Sequence, residues 1–161
     1  MKPIRIIGIL AVLQLMHISM VSCQEHPDVK PAVQQSFKLA VCQMKVVGGD
    51  RGSNVVRATE VIVEAVQNGA QFILLPEAMD LGWTDPSALT QAETVPGGFT
   101  CQHLSDLARL LRVYICSGLI EKDGEKVYNS AVIIDPQGEL ILHHRKINEL
   151  DIGHPYYALG D

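Results

Sequence analysis

The segment from Phe37 to Pro76 constrains the fold more than any other part of the chain. FKLAVCQM is a short apolar run that predicts a mostly buried strand, and QFILLP predicts a second one. Between them, SNVVRATEVIVEAVQNG has the spacing of an amphipathic helix, which Ser53 or Asn54 can cap and Gly69 can end. Strand, helix and strand in this order imply a right-handed crossover between parallel neighbours. The fold class is therefore α/β, with functional groups expected just beyond the carboxyl ends of the strands.

The second half of the chain is organised differently. HLSDLARLLR predicts a helix with one apolar face, and VYICSGLIE, KVYNSAVIID and ELILHHRK predict three strands in succession. The links KDGE and DPQGE predict hairpin turns, in which Gly124 and Gly138 adopt positive φ. An antiparallel meander therefore follows the parallel start.

Composition and charge exclude several classes of function. The chain has 161 residues, 47% hydrophobic and 19% charged, which is typical of one globular domain. Its net charge of −5 and the lack of any Lys or Arg run longer than a pair argue against a nucleic-acid partner. His143 and His144 are neighbours on a strand, so their side chains point to opposite faces and cannot chelate one metal ion together. We expect no metal and no cofactor.

The first residues resemble an export signal. MKPIR is positively charged, and the apolar run IIGILAVLQLMHISMV follows it. The run ends in MVSC before Gln24, which is similar to the bacterial lipobox, so Cys23 is a lipidation candidate. Lipidation, plain secretion and an uncleaved anchor remain open. We expect an exported protein, either secreted or attached to the membrane as a lipoprotein.

These patterns divide the chain into three parts. Residues 1–23 are predicted to be a signal peptide, and residues 24–36, QEHPDVKPAVQQS, a polar linker without hydrophobic periodicity. Residues 37–161 contain all the predicted helices and strands and form the folded domain.

Two charged residues stand at the ends of predicted strands. Glu77 follows QFILLP, and the preceding Pro76 restricts the backbone there, so its carboxylate is suited to act as a general base. Lys146 ends ELILHHRK and can stabilise negative charge on a substrate oxygen. Taken singly, each is more simply explained as a solvated surface charge. The pair is what indicates a site.

Three blocks of the chain resemble the carbon–nitrogen hydrolases, also called the nitrilase superfamily. LAVCQM is similar to that family's first strand, FILLPEAMD to the block with its catalytic glutamate, and YNSAVIIDPQGELILHHRKI to the strands that lead to its catalytic lysine. The resemblance runs from about Lys38 to the end of the chain. It implies a four-layer α-β-β-α sandwich, often dimeric, that cleaves amides, nitriles or N-carbamoyl compounds.

The resemblance also implies roles for individual residues. Glu77 would be the general base, and Lys146 would stabilise the oxygen of the tetrahedral intermediate. The family's nucleophile is a cysteine some tens of residues beyond the lysine, and no cysteine follows Lys146 here. Glu149 is a candidate for the second glutamate that orients the substrate in the family, against a loop carboxylate. The sequence therefore predicts a Glu-Lys-Cys triad from which the cysteine is missing.

The cysteines that precede Lys146 do not match the family's nucleophile. Cys42 and Cys116 lie inside predicted strands and are expected in the core. Cys101 begins a predicted helix, where a thiol pKa can be lowered, but it stands outside any matching motif. We expect no activity from this chain alone.

We expect the chain to correspond to the amino-terminal half of the fold. Either it is a fragment of a longer hydrolase, or the gene is truncated and the product is inactive. Two other functions remain open: an acyltransferase that uses the same triad, and a non-catalytic, exported or lipid-anchored binding protein. The expected partners are a small amide, nitrile or carbamoyl substrate, a membrane through the anchor, and other copies of the full-length chain.

Overall fold

The computed structural model describes residues 36–160, so Cys23 and the predicted signal peptide lie outside the described residues. Within that range five strands and three helices follow one another. They are β1 (Leu39–Val41), α1 (Arg51–Gln67), β2 (Phe72–Leu74), α2 (Ala88–Gln91), α3 (Phe99–Leu111), β3 (Tyr114–Asp123), β4 (Lys126–Ile134) and β5 (Leu140–Arg145). Every strand and helix predicted between residues 37 and 146 is present. None of the helices described in residues 36–160 is long and apolar enough to cross a membrane.

The strands form one mixed sheet in the order β1-β2-β3-β4-β5. β1 pairs with β2 and β2 with β3 in parallel, while β3, β4 and β5 are antiparallel neighbours. Gly124 and Gly138, in the two hairpin links, have φ of +57° and +82°. The parallel start, the antiparallel meander and both glycine turns are therefore confirmed.

The core lies between the sheet and two helices. Ile62 of α1 and Leu104 of α3 are fully buried against Ile73, Ile115 and Val132 of the sheet. Burying an aliphatic side chain of this size stabilises the fold by about 1.5–3 kcal/mol relative to exposure. The helices thus form one layer and the sheet a second.

The start of α1 differs from the prediction. The helix begins at Arg51, and the Asp50 carboxylate accepts the cap hydrogen bond from the backbone N–H of Ser53. Asn54 is fully buried, and its amide donates to the backbone oxygens of Val47 and Asp80, each at 2.8 Å. The expectation that Ser53 or Asn54 caps the helix was wrong, because Asn54 is used to hold two loops together at the end of the sheet.

The opposite face of the sheet is largely apolar and partly open. Leu39, Val41, Tyr114 and Leu142 on this side retain between 40% and 64% of their surface. A cavity of about 280 Å³ lies on the same side and is lined by residues of β3, β4 and β5 and by Glu77 and Lys146. The candidate site therefore lies on the face away from the helices.

Candidate active site

The backbone segment that carries Glu77 extends the sheet beyond β2. The backbone N–H of Leu75 donates to Cys116 at 2.8 Å, and the oxygen of Pro76 accepts from Gly118 at 3.1 Å. The N–H of Met79 then donates to the oxygen of Gly118 at 3.0 Å. Because these bonds tie the segment to β3 on both sides of Glu77, the carboxylate stands on a fixed backbone at the carboxyl end of β2.

Gly118 makes this close approach possible. A Cβ at that position would lie 2.5 Å from Cα of Glu77 and 2.6 Å from the backbone nitrogen of Ala78, distances that real side chains do not adopt. Ala78 itself has φ of +47°, an uncommon conformation for a residue with a side chain. The turn at Glu77 is therefore built by a tight contact between two backbone segments.

Lys146 approaches Glu77 from the edge of the sheet that is formed by β5. It directly follows β5, where its N–H donates to the Asn129 oxygen at 2.8 Å and its own oxygen accepts from Gly160 at 2.9 Å. Its Nζ lies 2.9 Å from Oε1 of Glu77. The two residues singled out in the sequence are thus brought into direct contact, although they are 69 positions apart.

The contact changes the protonation of both groups. Partial burial of the Glu77 carboxyl opposes its ionisation, but the hydrogen bonds from Lys146 and Asn129 outweigh this effect and hold the pKa of Glu77 below its ordinary value. The hydrogen bond to Glu77 likewise raises the pKa of Lys146. At neutral pH the site therefore contains a carboxylate that can accept a proton and an ammonium group that can stabilise an oxyanion.

Glu149 lies next to this pair but is buried. Its side chain is fully inaccessible, and Oε2 lies 3.7 Å from Nζ of Lys146. Neither carboxylate oxygen of Glu149 has a hydrogen-bond partner among residues 36–160, and the same holds for the indole N–H of Trp83. The ring of Trp83 is 5.6 Å from the Lys146 ammonium. The lysine is thus flanked by two buried polar groups with unused hydrogen-bonding capacity.

Asn129 is a site residue that the sequence analysis did not identify. It lies in β4, is 4% exposed, and its Nδ2 donates to Oε1 of Glu77 at 2.6 Å. The sequence contains a signal for it, because asparagine is depleted in strands and this one interrupts the run VYNSAVII, whose other residues are apolar, aromatic or small. An unexplained polar side chain in the middle of a strand indicates a specific partner.

Burial raises the pKa of each thiol among the described residues, Cys42, Cys101 and Cys116. Cys42 and Cys116 were expected in the core, but both are only partly buried, and Cys116 lines the cavity beside Glu77. Burial raises the pKa of Cys116, and it raises that of Cys101 to about 11. Since the thiolate is the reactive form, neither group is activated.

A second polar cluster occupies the helix-facing side of the sheet. The Glu121 carboxylate, only 1% exposed, accepts hydrogen bonds from Ser130, His143 and Arg145. Burial opposes ionisation of Glu121, but these hydrogen bonds prevail and lower its pKa. His144 lines the cavity on the other face, so the prediction that the two histidines diverge is confirmed. Within residues 36–160, no three His, Cys, Asp or Glu side chains are grouped to hold a metal ion.

Asp80, in the same loop as Glu77, is a buried carboxyl group. It is 1% exposed, and its carboxylate oxygens accept from the N–H of Ile120 at 3.1 and 3.3 Å. Burial raises its pKa to about 6 despite these hydrogen bonds. Asp80 therefore anchors the loop after Glu77 to β3.

Comparison with known proteins shows which family the chain matches. Residues 38–157 match the family described as Carbon-nitrogen hydrolase. The chain is 36% identical to Omega-amidase NIT2 of Bos taurus over 121 residues, which are 74% of this chain and 43% of that protein. It is 40% identical to a nitrilase of Pyrococcus abyssi over 114 residues, 69% of this chain and again 43% of the relative. The chain thus spans less than half the length of these curated relatives.

Solved structures have the same fold. An amidase from Nesterenkonia sp. AN1, solved in complex with acrylamide, superposes with a TM-score of 0.70 at 18% identity, covering 78% of this chain and 48% of that one. Nit3 of Saccharomyces cerevisiae, a member of branch 10 of the nitrilase superfamily, gives 0.69 at 26% identity, covering 78% and 49%. The predicted nitrilase-like α/β fold is confirmed.

Proposed function

Because this chain belongs to the carbon–nitrogen hydrolase family, we propose that it takes part in hydrolysing a non-peptide carbon–nitrogen bond. The substrate class is a small amide, nitrile or N-carbamoyl compound. The observation that supports the proposal is the contact of 2.9 Å between Lys146 and Glu77 at the carboxyl end of β2. A carboxylate and an ammonium group at one point are what acyl transfer requires of its base and its oxyanion stabiliser.

The proposed reaction begins with a cysteine thiol, which this chain does not supply after Lys146. Glu77 takes the thiol proton as the sulfur bonds to the carbonyl carbon, and Lys146 stabilises the negative charge that forms on the oxygen. The carbon–nitrogen bond then breaks, the leaving amine takes the proton from Glu77, and a thioester remains. Water attacks the thioester while Glu77 accepts its proton, and the released thiolate recovers that proton as the acid departs.

The source of the cysteine is part of the proposal. We place it in polypeptide encoded beyond Asp161, as expected of the family. One relative by fold, the Nesterenkonia amidase, has an active-site cysteine to which acrylamide adds in one of its mutants. The 161-residue chain alone is therefore expected to have no amidase activity.

Glu149 is proposed to orient the substrate. Its two carboxylate oxygens have no hydrogen-bond partner among the described residues, and its side chain is fully buried, so it would act on the substrate through Lys146 and not by direct contact. Its Oε2 lies 3.7 Å from Nζ of Lys146, so the carboxylate would hold the ammonium group toward the proposed oxyanion site. We expect Glu149→Gln to lower kcat for amides more than it raises KM, because a neutral amide holds the ammonium group of Lys146 less firmly than a carboxylate does.

Export is a separate proposal. It rests on the charged start, the apolar run and Cys23 in residues 1–23, and it is independent of the hydrolase site. Intact-mass analysis of the protein from membrane and culture fractions tests it. A lipid-modified residue at Cys23 would support anchoring, a cleaved unmodified product would support secretion, and an uncleaved cytosolic chain would refute export.

The test of the hydrolase begins with the gene. The reading frame beyond the codon for Asp161 is sequenced, and the product of the open frame is incubated with saturated small amides and nitriles, which cannot add to a thiol through a carbon–carbon double bond. Mass spectrometry then follows a covalent acyl adduct. The Glu77→Gln and Lys146→Met variants serve as matched controls, since each removes one member of the contact pair at nearly constant volume.

Three results distinguish the functions. An adduct that decays in water and is lost in both variants supports hydrolysis. Decay only after an amine is added would identify an acyltransferase instead. A stop codon directly after Asp161, or a complete protein that binds amides without any adduct, would contradict the hydrolase and favour a binding protein.

A further inference from the structure

Asn129 connects the two charged groups of the site through different parts of the same residue. Its backbone oxygen accepts from the N–H of Lys146 at 2.8 Å, which sets the position of Lys146 next to β4. Its side-chain amide donates to Oε1 of Glu77 at 2.6 Å. A residue that bonds both partners determines how far apart their backbones lie.

The hydrogen bonds to Glu77 are unevenly distributed over its carboxylate. Asn129 and Lys146 both donate to Oε1, at 2.6 and 2.9 Å. Oε2 receives no hydrogen bond from any residue in the range 36–160. Since a hydrogen-bonded oxygen is the weaker proton acceptor, Oε2 is the oxygen left to act as the base. The amide and the ammonium group together therefore fix which oxygen faces an incoming proton.

The chemistry of an asparagine suits this role. Asn129 is only 4% exposed, so water does not compete with Glu77 for the hydrogen bond from its side-chain amide. Its amide donates without carrying charge, so it orients the carboxylate and leaves the charge balance of the Glu77–Lys146 pair unchanged. An aspartate of the same shape would place a second negative charge beside Glu77 and raise its pKa.

We propose that Asn129 is a positioning residue, which holds Oε1 of Glu77 against Lys146 and thereby presents Oε2 to the nucleophile's proton. The inference rests on the proposed function for its catalytic meaning. Its structural content, the orientation of Glu77 by the Asn129 amide, is measurable without any substrate.

The experiment is a carboxyl titration by NMR in the whole 161-residue chain. Glutamate is labelled with ¹³C at its carboxyl carbon, and the Glu77 signal is assigned from its loss in Glu77→Gln. The titration compares wild type with Asn129→Ala, which keeps the backbone bond to Lys146 and removes only the amide. Asn129→Asp, which preserves shape, is measured as well, so that the result does not depend on the folding of one variant.

Ser130→Ala is the matched control. Ser130 is the next residue in β4 and is similarly buried, but its hydroxyl donates to Glu121 on the opposite face of the sheet. We expect the pKa of Glu77 to rise in Asn129→Ala, to rise further in Asn129→Asp, and to stay at the wild-type value in Ser130→Ala. A Glu77 pKa unchanged in a folded Asn129 variant, or raised equally by Ser130→Ala, would overturn the proposal.

A kinetic readout separates this inference from the proposed function. In the form of the protein that turns over amides, Asn129→Ala should lower kcat about 10- to 100-fold at constant KM, because a misplaced base slows only the chemical step. The acidic limb of the pH–rate profile should move to higher pH as the pKa of Glu77 rises. A shifted titration without turnover in wild type would refute hydrolysis but leave Asn129 as the positioning residue. A flat titration in an active enzyme would refute the role of Asn129 alone.

Discussion

Replacement of Gly118 by alanine is expected to displace Glu77 without touching its side chain. The added Cβ would lie 2.5 Å from Cα of Glu77, whereas ordinary contact begins near 3.4 Å, so the backbone there must retreat by 0.9 Å. The same shift would stretch the hydrogen bonds that link Gly118 to Pro76 and Met79. Overpacking of this kind costs about 1–3 kcal/mol, and each lost hydrogen bond adds about 1 kcal/mol.

We therefore expect Gly118→Ala to lower the free energy of unfolding by about 3–5 kcal/mol, since both hydrogen bonds are affected. The displacement also exceeds what the hydrogen bonds of Glu77 with Asn129 and Lys146, now 2.6 and 2.9 Å, can absorb. The pKa of Glu77, which these bonds hold low, should consequently rise. If the protein turns over amides, a misplacement of this size should reduce kcat by about 100-fold.

Urea unfolding and the ¹³C titration of Glu77 measure these effects. Gly52→Ala is the control, because the same methyl group added to α1 meets nothing within 4 Å. It should leave the stability unchanged or raise it by up to about 1 kcal/mol, since alanine is the better helix former. A Gly118→Ala variant whose free energy of unfolding lies within about 0.5 kcal/mol of wild type, the usual range for a neutral surface change, and whose Glu77 titrates as in wild type would contradict the predicted displacement.

Further predictions concern the buried polar groups and the thiols. Burial in the folded chain raises the pKa of Asp80 from 3.8 to about 6. The protonated carboxyl group is therefore favoured in the folded state, and the free energy of unfolding falls as the pH rises between these values. Relative to wild type, Asp80→Asn should therefore gain up to about 3 kcal/mol in free energy of unfolding as the pH rises from 4 to 7. Urea unfolding at both pH values measures this gain, and a difference between variant and wild type that is the same at both would contradict it. Glu121→Gln should lose about 3–5 kcal/mol at pH 7, because it leaves the Arg145 charge without its buried partner. The loss should shrink on acidification, since the lowered pKa of Glu121 makes its contribution disappear at low pH. Asp123→Asn, which changes the 61% exposed partner of the same arginine, should lose less than about 1 kcal/mol, and equal losses would argue against the buried pair. Cys101, which is 2% exposed, should react with a thiol reagent only on unfolding, and peptide mapping that finds rapid native labelling would disprove its burial.

Local sequence patterns predicted the elements and their order because those patterns arise from interactions between near neighbours. The apolar runs flanking α1 specified two parallel strands, and the glycines at 124 and 138 specified two hairpins, since φ near +60° to +80° suits a residue without a side chain. The first turn of α1 was misjudged because Asp50 and Asn54 are both able to cap a helix. Only the packing of the loops at Val47 and Asp80 decided which of them does.

The sequence by itself determined that Glu77 and Lys146 stand at strand ends, and the family resemblance indicated that they act together. Their contact, the amide of Asn129 on the same carboxylate oxygen, and the burial of Glu149 were decided by the tertiary structure alone. Asn129 and Lys146 are 52 and 69 positions away from Glu77 in the sequence. They meet it only once the strand order and the register of β3, β4 and β5 are set. The hairpin links predicted that β3, β4 and β5 are neighbours, but local preferences predict neither the pairing of β2 with β3 nor the register of the strands. Both minimise the free energy of the whole sheet, in which each strand contributes to the packing of the others.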